Sequence, residues 1–132
     1  MKSIYLIAPY SADSSTVISA NVQQVIAAAT IIIELSDDFY PDCTHALSWM
    51  IQPHLRKVIS EVYWRSGGIE KLRQSDCALV VGQPSAILES VGSQGEIQFC
   101  KDNGKPIIFC GIPIDVLTIG KSLDSLRELL VD

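Results

Sequence analysis

Apolar and polar positions alternate along the chain in blocks that predict a strand–helix rhythm. Ser3 to Ala8 is a short β-branched and aromatic run closed by Pro9, the pattern of a buried first strand. Asp13, Ser14 and Ser15 offer N-caps for a helix reaching about Leu35. Val17, Ile18, Val22, Val25, Ile26 and Ala29 recur there at helical spacing, although the β-branched run Thr30 to Ile33 works against helix. Phe39-Tyr40 begins a second strand, which Pro41 confines to an edge or a strand end. His45 to Glu61 is ambiguous and then helical, Ser66-Gly67-Gly68 breaks or kinks it, and Ile69 to Gln74 forms a short helical turn. Asp76 to Gly82 is the clearest strand, apolar enough to be covered on both faces. Gln83 to Ser90 is read as loop, and a helix follows from about Gln94 to Asn103, stopped by Asn103-Gly104. Pro106 to Gly111 is another strand, and Leu117 to Leu130 holds the last helix with Ser122 as candidate cap.

This alternation predicts an α/β chain. It would be one domain over residues 1–132, a flavodoxin/Rossmann-like open parallel sheet of about five strands with helices on both faces. Such sheets bind ligands at the carboxyl ends of their strands. The places to search are therefore Ala8 to Ser11, Gly82 to Glu96, and Gly111 to Asp115.

Composition narrows the function classes. Apolar residues make up 48% and charged residues 19%, which excludes disorder as the general state. The longest apolar stretches, such as Val25 to Ile33, are about half of a ~20-residue membrane span. The start has no small-residue cleavage site, so the expected location is cytoplasmic. The net charge is −5 and the basic residues are scattered, a poor match to polymeric nucleic acid. Low charge on a short apolar chain predicts a homo-oligomer. Cys43, Cys77, Cys100 and Cys110 lack zinc or C-x-x-C spacing and are read as reduced thiols.

No G-x-G-x-x-G follows the first strand and no Walker motif occurs, so neither NAD nor ATP is expected. No cofactor and no metal is predicted. The segment Ser90-Val91-Gly92-Ser93-Gln94-Gly95-Glu96 follows the strongest strand and opens a helix. Its glycines and serines allow close backbone approach to a ligand, with Glu96 placed in the first turn where the helix dipole favours a carboxylate. Glu96 is then a candidate nucleophile, or an ordinary acidic residue of a helix start. Asp76 is a candidate acid or a strand-end turn residue, and Tyr5 a site hydroxyl or a core side chain. His45 and His54 either stack a base or act as acid, or are structural. Pro9, Tyr10 and Ser11 line the ligand edge or only turn the chain, and Trp49, Tyr63 and Trp64 line a base pocket or belong to the core or a subunit interface.

The segments I-Y-L-I-A-P-Y-S, S-D-C-A-L-V-V, S-V-G-S-Q-G-E-I-Q-F and G-K-P-I-I-F, in this order over roughly Lys2 to Gly111, resemble the nucleoside 2-deoxyribosyltransferase superfamily. That group includes 2'-deoxynucleoside 5'-monophosphate N-glycosidases. The resemblance implies Glu96 as nucleophile, Asp76 as proton handler, Tyr5 as the hydroxyl that orients Glu96, and Ser90 as a phosphate contact in a Ser90–Gly92–Ser93 cradle. An acidic residue that relatives carry upstream of this Asp is replaced here by Gly68. The implied activity is cleavage or transfer of the N-glycosidic bond of a (deoxy)nucleoside or its 5'-monophosphate. A non-catalytic nucleotide-binding module of the same fold, and a scaffold domain, are the alternatives.

Overall fold

In the computed structural model the described residues are 1–10 and 14–131. The expected contact Ser11 and the candidate cap Asp13 lie outside them. The elements are β1 (Lys2–Ile7), α1 (Ser15–Leu35), β2 (Phe39–Asp42), α2 (Thr44–Ile51), a 3-10 turn (Gln52–His54), α3 (Glu61–Gln74), β3 (Cys77–Val80), α4 (Pro84–Glu89), α5 (Val91–Asp102), β4 (Ile107–Phe109) and α6 (Val116–Leu129).

The strands form one parallel sheet in the order β2-β1-β3-β4. It has four strands rather than about five, because the described residues after β4 go into a loop and α6. Pro41 sits in β2, an edge strand, where its missing N–H leaves no central ladder bond unmade. The chain leaves β1 towards β2 and returns on the other side to β3, so the order reverses between β1 and β3. Their carboxyl ends, Ala8-Pro9-Tyr10 and Val81-Gly82, frame that reversal. Gly82 has φ +126°, and a Cβ there would stand 3.1 Å from Pro9 Cδ, so the two chain segments approach closely.

Side chains alternate across the sheet. Ile4, Leu6, Cys77 and Leu79 pack with Val25, Ala28 and Ile32 of α1 and Ile119, Leu123 and Leu126 of α6. Tyr5, Ile7, Ala78 and Val80 pack on the other face with Leu72 of α3, Ile87 of α4 and Ile97 and Cys100 of α5. Helices therefore cover both faces. Although the 21-residue α1 is long and apolar enough to span a bilayer by length and composition, its stripe Val22, Val25, Ala28, Ala29 and Ile32 is buried against this core. Outside the core, Arg127 of α6 forks onto both carboxylate oxygens of Asp38 at 2.7 and 2.8 Å, holding α6 to the turn before β2.

Several helix boundaries differ from the sequence expectation. The β-branched run Thr30–Ile33 stays helical, because Ile32 gains a fully buried position. Residues 84–89 are helix α4 rather than loop, with Pro84 in its first turn, where a missing N–H costs nothing. Helix α5 starts at Val91, capped by Ser90, whose Oγ accepts from Ser93 N at 3.2 Å. Asp115 caps α6, and Ser122 lies mid-helix with its hydroxyl on the Thr118 carbonyl. Most informative is α3, which runs unbroken through Gly67-Gly68. Gly67 faces open space, whereas a Cβ on buried Gly68 would lie 3.1 Å from the Tyr5 hydroxyl and 3.3 Å from Glu96 Oε2. Gly68 thus trades helix propensity, about 1 kcal/mol, for close approach.

The two neighbouring glycines make a controlled comparison. Gly67→Ala is expected to stabilise the protein by about 0.5–1 kcal/mol, the ordinary gain in a helix interior. Gly68→Ala is expected to give no gain or a loss. Urea denaturation of both variants checks this, and equal stabilisation would refute the close packing at Gly68.

Candidate functional site

Strand β1 presents Tyr5 to the face covered by α3 and α5. Its ring is fully buried, and its hydroxyl donates to Glu96 Oε2. Glu96 is 6% exposed, and its second oxygen, Oε1, is buried without any hydrogen-bond partner. Because α5 begins at Val91, Glu96 falls in the second helical turn and not the first. The expected dipole stabilisation of its carboxylate, which fades beyond the first turn, is accordingly lost. Burial dominates instead and pushes the Glu96 carboxyl up to about 7, with the Tyr5 hydrogen bond pulling the other way. Burial, the nearby Glu96 charge and the shared hydrogen bond raise the Tyr5 hydroxyl, so it remains a donor.

Four buried side-chain atoms among the described residues lack a partner: Thr44 Oγ1, His45 Nε2, Ser93 Oγ and Glu96 Oε1. Unpaired buried polar atoms are rare and each costs about 1–3 kcal/mol. Here they come from two elements only, the start of α2 and one face of α5. Ser93 and Glu96 are three residues apart, hence neighbours on that face. Thr44 sits close enough to affect the Tyr5 hydroxyl. His45 lies one residue further, its ring 5.3 Å from that of Tyr10. Burial lowers the imidazole to about 4, opposed by the Ala8 backbone, so it is neutral at pH 7. Tyr10 is held by Gln52 Nε2, which donates to its hydroxyl at 3.1 Å.

The remaining expected site residues fall around or away from this cluster. Pro9 is buried against Gly82. Ser90 spends its hydroxyl on capping α5, and Gly92 borders open space. Ser11 lies outside the described residues. Asp76 does not join Glu96. It is exposed before β3, and its Oδ2 accepts from Ser3 N at 2.7 Å and Ser3 Oγ at 3.3 Å, a tie between the amino ends of two strands. Asp76, implied as the proton handler for Glu96, is corrected on this point: its carboxylate is spent on Ser3, and burial is what raises Glu96. Gly68, in place of an acidic residue, abuts the Tyr5–Glu96 pair. Thr44 went unnoticed in the sequence, although its place just past β2 is a strand-end signal. A groove of about 740 Å³ opens elsewhere, beside α1, lined by residues such as Gln24, Gln83 and Pro113, and touches none of these groups.

No potential metal cluster of His, Cys, Asp or Glu occurs among the described residues. The site instead offers a buried carboxyl fixed at one oxygen and open at the other, a neutral imidazole and two hydroxyls. No protein-family model matches the chain, and no curated protein sequence matches it.

The charge state of Glu96 has a stability signature. The folded carboxyl keeps its proton up to about 7, while the unfolded one releases it near 4.5. Between those values the folded state binds more protons, so this group erodes stability as pH rises. The full effect is about 3 kcal/mol above that window. Glu96→Gln removes it. The stability difference between variant and wild type is expected to move in the variant's favour from pH 5 to pH 8. A difference that stays flat with pH in chemical denaturation would contradict the buried-carboxyl assignment.

Proposed function

We propose that this chain cleaves or transfers the N-glycosidic bond of a (deoxy)nucleoside or its 5'-monophosphate, with Glu96 as nucleophile and no cofactor. The observation that carries the reading is the Glu96 carboxyl itself. It is buried, held at Oε2 by Tyr5 and unpartnered at Oε1, one helical turn from the unpartnered Ser93 hydroxyl, with Thr44 reaching the same tyrosine. Groups left unsatisfied in the free protein are suited to a polyhydroxylated ligand. The ordered sequence resemblance supplies the substrate class.

In this reading the Tyr5 hydrogen bond fixes the Glu96 rotamer. Oε1 faces the anomeric carbon, where positive charge builds as the C–N bond lengthens. A low-polarity surrounding strengthens that attraction. A glycosyl ester on Glu96 is then resolved by water or by an acceptor base. Ser90, Gly92 and Ser93 border the sugar or phosphate, and Pro9, Tyr10 and His45 border the base. Glu96 must be ionised to attack, so kcat/KM rises with pH through about 7.

The chain is also proposed to self-associate, as a cytoplasmic homo-oligomer. Leu47, Met50, Ile51, Val58, Val62 and Tyr63, from α2 to the start of α3, are all exposed, with Val58 at 98%. Exposed apolar surface of this extent marks an interaction face. Light scattering at micromolar concentration is expected to give more than the monomer mass; a strictly monomeric protein would overturn this part.

The activity test is base release from a panel of ribo- and deoxynucleosides and their 5'-monophosphates, with and without an acceptor base. Chromatography is expected to show free or exchanged base that disappears in Glu96→Ala. Ligand-induced thermal stabilisation with no base release would instead favour a nucleotide-binding module. That second reading draws on Asp76 being engaged by Ser3.

A further inference from the structure

We propose that Asp42, at the carboxyl end of β2, is the second carboxyl of the site and passes the proton to the departing base. This rests on the glycosidic reading above. The sheet register places it. Tyr5 and Asp42 are Cα partners of the parallel β1–β2 pair. Phe39 packs in the core cluster on the α1 and α6 side, with Ile4. Side chains alternate along a strand, so Asp42, three residues on from Phe39, points to the opposite face with Tyr5. That is the face of α3 and α5, and therefore of Glu96.

Further observations fit. The Asp42 charge reaches the Tyr5 hydroxyl that holds Glu96. No hydrogen bond or ion pair engages its carboxyl among the described residues, whereas Asp76 is engaged by Ser3. Thr44, two residues further, carries one of the unpartnered buried hydroxyls beside the same Tyr5. Asp42 also ends its strand on the edge of the sheet where Ala8 and Gly82 frame the strand-order reversal, the edge at which open parallel sheets take their ligands.

The step starts with Glu96 ionised and the site's proton on the Asp42 carboxyl; Glu96 Oε1 bonds to the anomeric carbon as the C–N bond breaks. The electron pair of that bond goes to the base nitrogen, which takes the proton of the Asp42 carboxyl. Water then attacks the anomeric carbon, returns a proton to the Asp42 carboxylate, and frees Glu96. The overall reaction is hydrolysis, and no oxidant or reductant enters.

A leaving group that needs no proton separates this role from a structural one. N7-methyl-2'-deoxyguanosine carries a positive charge and releases its base without protonation, whereas 2'-deoxyguanosine does not. The full chain and its Asp42→Asn and Asp76→Asn variants are assayed on both, against enzyme-free controls, with thermal melts to check folding. Asp42→Asn is expected to lose on the order of 10²–10⁴-fold in kcat/KM on 2'-deoxyguanosine and little on the methylated substrate. Asp76→Asn is expected to show no such selectivity. Equal losses on both substrates, no loss on either, or a selective loss in Asp76→Asn would each overturn the assignment while leaving Glu96-dependent cleavage standing. Failure of wild type to release a base from these two substrates and from the whole nucleoside and 5'-monophosphate panel would remove the glycosidic reading together with it. If Asp42→Asn does not fold, Asp42→Ser is read by the same criteria.

Discussion

The hydrogen bond from Tyr5 to Glu96 sets the terms for the elements around it. It joins the central strand β1 to α5 inside a fully buried layer. A phenol there needs a partner, and a carboxyl there needs one even more. Each group answers the other's need, but only in part, since Glu96 Oε1 has none. The pair also dictates the third wall. Helix α3 passes so close that a side chain at Gly68 would crowd both the Tyr5 hydroxyl and Glu96 Oε2. Helix propensity yields at this position because the alternative is a displaced polar pair in a dry interior.

Much of the architecture was legible from residues that bury themselves. The continuous apolar runs of β1 and β3 state their positions without tertiary information, and Pro41 marks β2 as an edge. The rest depended on contacts that a linear pattern does not carry. Gly67-Gly68 looks like a helix break until the neighbour of Gly68 is known. Val91-Gly92-Ser93 looks like loop, so α5 seemed to begin three residues late. That shift moved Glu96 into a first turn and turned an expected dipole effect into a burial effect of opposite sign. Asp76 looked like a site acid because an aspartate before a buried strand reads the same whichever way its carboxylate turns. The register with Ser3 decides that direction.

Polar frustration is concentrated and not scattered. Thr44, His45, Ser93 and Glu96 hold their unpaired atoms at the start of α2 and on one face of α5, while the other face of the sheet packs apolar side chains between β1, β3, α1 and α6. One face therefore supplies cohesion and the other tolerates unmet hydrogen bonds. This division lets a small chain keep a strained polar layer without a second scaffold, since the apolar layer is anchored independently, down to the Arg127–Asp38 fork at its edge.

Ser90 closes α4 and caps α5 with no residue between them. The angular position of every α5 side chain is therefore counted from that one serine. An α-helix turns about 100° per residue. One residue added or deleted between Ser90 and Glu96 would swing the carboxyl by that angle, out of line with Tyr5, while leaving composition, charge and helix length almost unchanged. The six-residue interval from Ser90 to Glu96 works as a phase setting, and divergence in this segment can proceed by substitution far more readily than by change of length.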